Sequence, residues 1–198
     1  MTKVFLCNTS GITGDQYDGL MTMASPERKK RAAAYPQKED AVCCLVAEAL
    51  LRYAFPGKDP ETIQREPGGK PCLEGCHFNL SHSGPWVALA VGESPVGVDV
   101  ECCREGRNVE ALAKRYFTPE EQTFVDGAQE RFLEIWTAKE ARLKWDGTGL
   151  RPPLNSFSVW KDPMAKTWRL PGAVMTLWAQ EPPENWESVE ICEIVPRR

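Results

Sequence analysis

Between Lys38 and Phe55 the apolar residues Val42, Leu45, Val46, Ala49, Leu50 and Tyr53 recur at intervals of three and four, and Pro56-Gly57 ends the run. That period lays one apolar stripe along a helix, and the stripe must be covered by another element. A second stripe, Phe132, Ile135, Trp136 and Leu143, lies on a helix expected from about Gln129 to Trp145 and stopped by Gly147. Each long helix is followed by short apolar runs bounded by Gly and Pro, the pattern of strands. After the first come His77–Ser81 and Trp86–Val91, with Ser83-Gly84 between them, then Val96–Glu101 to complete an antiparallel set. After the second come Phe157–Trp160, Thr167–Leu170, Val174–Ala179 and Val189–Ile194. Lys3–Asn8 reads as a first strand. Ser25-Pro26-Glu27-Arg28 and Thr118-Pro119-Glu120-Glu121 read as capped helix starts, with Val109–Tyr116 helical between them. Helix followed by sheet, twice, predicts an α+β fold of two similar subdomains, residues 1–102 and 103–198.

At 198 residues the chain has room for one compact domain or two halves sharing a core. Hydrophobic residues at 42% and charged residues at 26% exclude a disordered tail, a collagen-like fibre and a coiled coil. Lys+Arg at 24 against Asp+Glu at 28 leaves a net charge of −4, without the basic footprint of a nucleic-acid binder. Ala41–Ala47 and Trp86–Val91, the longest apolar stretches, are too short to cross a bilayer. The opening Met-Thr-Lys-Val-Phe-Leu-Cys lacks the apolar region of a signal peptide, so a cytoplasmic location is expected. Eight cysteines, two pairs of them vicinal (Cys43-Cys44, Cys102-Cys103), read as reduced thiols serving as small hydrophobes. Cys72, Cys76 and His77 lack a second Cys/His pair at zinc-finger spacing.

Four groups of residues have chemistry to offer. In Gly97-Val98-Asp99-Val100-Glu101 a strand's alternation puts Asp99 and Glu101 on one face and Val98 and Val100 on the other. Two like charges side by side need water or a cation, and a solvent-facing strand end is the plainer reading. In Trp136-Thr137-Ala138-Lys139-Glu140-Ala141-Arg142-Leu143-Lys144, Glu140 and Lys144 are four apart on the helix flank. Alone they would be a surface ion pair of about 0.2–0.5 kcal/mol. In Phe78-Asn79-Leu80-Ser81-His82-Ser83-Gly84 the adjacent Ser81 and His82 point to opposite strand faces, which disfavours a nucleophile–base pair. With the glycine turn they are suited to holding a phosphate. The run Arg28-Lys29-Lys30-Arg31 is either a solvated face or a local anion site.

The order and spacing of these groups, with Gly69-Lys70-Pro71 before them and Gly147-Thr148-Gly149-Leu150 after, strongly resemble the 4′-phosphopantetheinyl transferases. The likeness is to their larger, pseudo-dimeric class, the surfactin-synthetase-activating type. It spans about residues 25–160 and takes in Ser25-Pro26-Glu27-Arg28 and Lys38-Glu39-Asp40-Ala41. The resemblance implies two α/β subdomains in pseudo-twofold arrangement, each a small, mostly antiparallel sheet packed on helices, with the active site between them. It also implies transfer of the 4′-phosphopantetheine moiety of coenzyme A to a serine of an acyl or peptidyl carrier protein, with release of 3′,5′-ADP. Asp99, Glu101 and Glu140 would hold Mg²⁺, with Mn²⁺ a possible substitute. Glu140 would also take the serine proton, and Lys144 would neutralise the leaving phosphate. Arg28, Arg31, Ser81 and His82 would hold the phosphates of coenzyme A, and Gly69, Lys70 and Pro71 would line its adenine pocket. Where many relatives carry an arginine or threonine that touches the 3′-phosphate, this chain has Cys43 and Cys44. A monomer is expected, since two halves lie in one chain. The alternatives are a non-catalytic coenzyme A or nucleotide binder and a metal-dependent phosphoesterase.

Overall fold

The computed structural model describes residues 2–147, 152–181, 186 and 189–193. The chain opens with strand β1 (Lys3–Asn8) and three helices, α1 (Gly14–Met23), α2 (Pro26–Ala33) and α3 (Lys38–Ala54). A two-residue pair, β2 (Gln64–Arg65) and β3 (Pro71–Cys72), leads into a hairpin of β4 (His77–Ser83) and β5 (Trp86–Gly92). Next come β6 (Val96–Cys102), α4 (Val109–Tyr116), α5 (Pro119–Val125) and α6 (Gln129–Asp146). The hairpin β7 (Ala165–Leu170) and β8 (Ala173–Ala179) and the strand β9 (Glu190–Glu193) complete the described chain. Residues 148–150 of the glycine motif and Ile194 of the last expected strand lie outside the described residues.

Two sheets organise these elements, in the orders β4-β5-β1-β9 and β6-β8-β7. The halves repeat one plan. A first strand (β1 or β6) is followed by three helices and a hairpin, and the hairpin's second strand (β5 or β8) pairs antiparallel with the first. Helix α3 covers one face of the first sheet, with Val42, Val46 and Leu50 against Phe5, Val87 and Leu89. The other face supplies Val4, Leu6, Ala88 and Ala90 to a core shared with Val98, Val100, Met175 and Leu177 of the second sheet. Helix α6 closes the outer side, Phe132, Ile135 and Ala138 packing with Val174 and Trp178.

The local signals behave as their chemistry requires. The Ser25 side chain accepts from the Arg28 N–H ahead of α2, and a reciprocal Thr118–Glu121 capping box opens α5. Gly147, at φ 72°, ends α6.

Three expectations need correction. Strand β6, read as the last of an N-terminal set ending at 102, pairs through its backbone with β8 of the second half. In the other direction β9 lies parallel to β1. Strand membership follows backbone pairing across the sheet, which sequence order does not reveal. Phe157–Trp160, expected as a strand, is a turn segment. Its backbone groups are taken by buried side chains, the Phe157 carbonyl by Lys139 Nζ and the Val159 N–H by Glu121 Oε1. Helix α1 was not anticipated: its apolar residues Tyr17, Leu20 and Met21 are only partly buried against the core, and its start is marked by a Thr13–Gln16 capping box.

Candidate active site

Strand β6 and helix α6 touch at Gly97. A Cβ built there would lie 2.0 Å from the Ala141 carbonyl oxygen and 2.6 Å from the Trp145 nitrogen, so only glycine permits this approach. From that contact the β6 alternation aims Asp99 towards Lys144 of α6, and it buries Val98 and Val100 on the opposite face as expected. The solvent-facing reading of the two acids fails at Asp99, which is only 7% exposed.

Strand β4 supplies the other wall. Both β4 and β6 are edge strands, and side chains join them. Asn79 Oδ1, Ser81 Oγ and Ser83 Oγ accept the N–H groups of Val98 (2.9 Å), Val100 (3.3 Å) and Cys102 (3.1 Å). Ser81 also donates to Asp99 Oδ1 at 2.8 Å, and Ser83 to Glu101 Oε2 at 2.8 Å. Lys144 Nζ donates to Asp99 Oδ1 at 2.6 Å and to Ser81 Oγ at 2.8 Å. One hydroxyl therefore uses its single proton and both lone pairs, a saturated inventory that excludes Ser81 as a nucleophile. The expected Glu140–Lys144 surface pair is not made, because the lysine turns to the buried acid instead. Glu101 meets Arg107 Nη2 at 2.6 Å and Arg104 at 3.7 Å.

Glu140 is different. Among the described residues it has no hydrogen-bond or ion-pair partner, and its carboxyl is pushed above the usual glutamate range by burial and then by the charge of Asp99. Lys144 pulls the other way, and Glu101 adds to the rise. Burial likewise pushes the Asp99 carboxyl up, against Lys144 and Ser81. No three Asp, Glu, His or Cys side chains among the described residues form a ready-made metal cage. Asp99, Glu101 and Glu140 nevertheless interact electrostatically.

Beside this cluster are two cavities that share Pro71 and Leu80. One, of about 240 Å³, is bordered by Gly68, Gly69, Lys70, Asn79, Glu140 and Lys144. Gly69 has φ 86° in the turn, and the Lys70 side chain does not enter solvent but donates to the Trp145 carbonyl at 2.7 Å. That bond ties the turn to the C-terminal end of α6, where cations are favoured. The second cavity, of about 290 Å³, has Arg28, Arg31, Arg65 and His82 in its walls, with Ser81 and Tyr35. Ser81 and His82 lie on opposite strand faces, as the alternation requires, yet both border this space. Partial loss of water pushes the His82 imidazole pKa down, with Lys144 and Arg31 acting in the same direction and Asp40 against them.

The site brings together all eleven residues singled out from the sequence, and it adds others. Glu48, 2% exposed on α3, accepts from Ser25 N–H and Oγ, from Arg28 Nε at 3.2 Å and from Arg52. It thereby fixes the Arg28 guanidinium at the cavity wall. Arg28 Nη1 also reaches Cys44 Sγ at 3.7 Å, covering the helix face where the arginine or threonine expected from the resemblance is missing. Lys139 turns away from Glu140 into a fully buried pair with Glu121 at 2.8 Å. Arg65, Ser83 and Arg107 were also missed. Of these, Ser83 had a readable signal, for Asn79, Ser81 and Ser83 alternate as one polar face along a strand.

Comparison with known proteins agrees with the motif order. Residues 95–190 match the family model of the 4′-phosphopantetheinyl transferase superfamily. A 4′-phosphopantetheinyl transferase of Bacillus subtilis is 35% identical over 161 residues, covering 75% of this chain and 71% of that protein. The B. subtilis transferase Sfp is 32% identical over the same length and coverage. The transferase psf-1 of Bacillus pumilus is 35% identical over 159 residues, 73% of this chain and 66% of its own. The α+β plan with small antiparallel sheets, the ordered motifs and these matches converge, and the chain belongs to the 4′-phosphopantetheinyl transferase superfamily as one of its transferases.

Proposed function

We propose that this enzyme transfers the 4′-phosphopantetheine arm of coenzyme A to a serine of an acyl or peptidyl carrier domain, using Mg²⁺ and releasing 3′,5′-ADP. The observation that carries the reading is the Ser81–Asp99–Lys144 cluster, joined by bonds of 2.6–2.8 Å where the arginine-lined cavity meets the one bordered by Glu140. Arg28, Arg31 and His82 hold the 3′-phosphate and pyrophosphate, because guanidinium forks and an imidazole N–H donate to phosphate oxygens, while Ser81, its proton given to Asp99, borders the site and orients Lys144. Gly69, Lys70 and Pro71 line the adenine side.

The donor set fits a divalent cation. Asp99, Glu101 and Glu140 offer the hard oxygens that Mg²⁺ prefers, and Glu140 lacks a counter-ion among the described residues. When bound there, Mg²⁺ would supply positive charge to the pyrophosphate. The remaining chemistry belongs to side chains. The Glu140 carboxylate accepts the proton of the carrier serine hydroxyl as its oxygen bonds to the β-phosphorus. The bond from that phosphorus to the bridging oxygen breaks. Lys144 Nζ, oriented by Asp99 and Ser81, neutralises the departing phosphate and returns a proton to it.

In this reading residues 1–102 carry most of the coenzyme A contacts and 103–198 the catalytic helix, with the site at their seam. The enzyme acts as a monomer in the cytoplasm, on carriers of fatty-acid, polyketide or nonribosomal-peptide synthases. The test is intact-mass measurement of a panel of apo-carriers incubated with the protein, coenzyme A and Mg²⁺. A phosphopantetheine mass gain supports the reading. Its absence across the panel with folded protein refutes it, and steady 3′,5′-ADP release without any carrier would make the protein a phosphoesterase.

A further inference from the structure

We propose that Ser83 is a positioning residue for Glu101, locking that carboxylate through a side-chain ladder that replaces strand pairing between β4 and β6. This rests on the reading of Glu101 as a metal ligand. On the edge of β6 that faces β4, every second N–H needs a partner, and no backbone carbonyl of β4 supplies one. The period-two side chains Asn79, Ser81 and Ser83 fill that register, accepting from Val98, Val100 and Cys102. All three are buried.

The two serine rungs do more than cap an edge. A backbone N–H only donates, so the Cys102 N–H must take a lone pair of Ser83, which leaves the hydroxyl proton for Glu101 Oε2 at 2.8 Å. Arg107 Nη2 holds the other oxygen, Oε1, at 2.6 Å. The carboxylate is thus gripped on both oxygens, by the first half of the chain on one side and by the loop after β6 on the other. The Asn79 rung caps the strand but touches no carboxylate.

The test titrates Mn²⁺ into the full chain saturated with coenzyme A, reading free Mn²⁺ by electron paramagnetic resonance against coenzyme A alone, and follows urea unfolding of each variant. Loss of a hydrogen-bond partner behind a metal ligand typically weakens metal binding by about 10–100-fold. Ser83→Ala is therefore expected to weaken Mn²⁺ binding by at least ~10-fold on that scale, and Ser83→Thr, which keeps the hydroxyl, to restore most of it. Val98→Ala, on the opposite face of β6, is expected to lower the urea midpoint while leaving Mn²⁺ affinity unchanged. If Glu101→Gln weakens Mn²⁺ binding and Ser83→Ala does not, the positioning role is overturned and the metal reading stands. If Glu101→Gln leaves Mn²⁺ binding intact, the metal reading of Glu101 is overturned, and the positioning role falls with it.

Discussion

Replacing Lys139 by Met isolates the buried interaction that anchors helix α6. Lys139 and Glu121 are both 0% exposed and pair at 2.8 Å. Lys139 Nζ also donates to the carbonyls of Leu154 at 2.8 Å and Phe157 at 2.6 Å. Glu121 accepts from Val159 N–H and from the Thr118 N–H of its capping box, each at 2.8 Å. Met preserves the approximate volume but leaves the Glu121 charge buried without its cation, and two carbonyls lose a donor. Breaking a buried pair from one side costs about 3–5 kcal/mol. For a chain of this size each kcal/mol shifts Tm by roughly 2–4 °C, so the loss should be about 6–20 °C. Calorimetry and urea denaturation measure it directly. The double variant Lys139→Met/Glu121→Gln removes the orphaned charge while keeping a capping side chain, and should recover about half of the loss or more. Transfer activity should fall in the single variant at temperatures where it is still folded, because the loop 154–159 and the α6 face opposite Glu140 come loose together. A single-variant loss below about 1 kcal/mol would refute the reasoning, since it would mean that water already reaches the pair.

Glu140→Gln should abolish the carrier mass gain without lowering Tm, as it removes a carboxylate that burial and Asp99 both oppose; a variant transferring at a near-normal rate would contradict the assigned role. The same group sets a pH signature in metal-free protein. Its folded pKa lies above the ordinary glutamate value of 4.5, so the stability it contributes is full below pH 4.5 and is lost as pH rises through the folded value. The stability advantage of Glu140→Gln over the unsubstituted chain should therefore be near zero at pH 4 and positive at pH 8, as read from urea midpoints; an advantage that shrinks with pH would reverse the sign. Glu48 runs the other way. Although burial works against its charge, Ser25, Arg52 and Arg28 hold its carboxyl below 4.5, so its contribution is present above pH 4.5 and lost as pH falls through the lowered value. Glu48→Gln should thus cost stability at pH 7 and raise the coenzyme A concentration needed for half-maximal rate, through a loosened Arg28. Gly97→Ala should cost about 3 kcal/mol, at the upper end for overpacking, because the added methyl meets the α6 backbone; circular dichroism melts decide it.

Much of the fold was legible locally, and the reason is physical. The α3 and α6 stripes, the caps at Ser25 and Thr118 and the stop at Gly147 are short-range effects, encoded within a turn or two of the residues that show them. The alternation in β6 likewise set which residues share a face, and the order of the motifs identified the family. The failures share one cause. Phe157–Trp160 has the composition of a strand, but its carbonyls and N–H groups are taken by Lys139 and Glu121, 18 and 38 residues away. The same helix flank that suggested a Glu140–Lys144 pair presents Lys144 to Asp99, 45 residues distant in sequence, where Ser81 accepts a second bond from the same ammonium.

The sequence by itself determined the helices other than α1, most strands, the list of candidate site residues and the chemistry they could perform. Only the tertiary structure decided their partners. It put β6 in the second sheet and joined it to β4 through Asn79, Ser81 and Ser83, and it closed Gly97 against α6. It also left Glu140 the carboxylate of its cluster without a partner among the described residues. Hydrogen-bond inventories and desolvation are settled by whatever packs nearest, and for residues on separate strands and helices that is decided across the seam between the two halves.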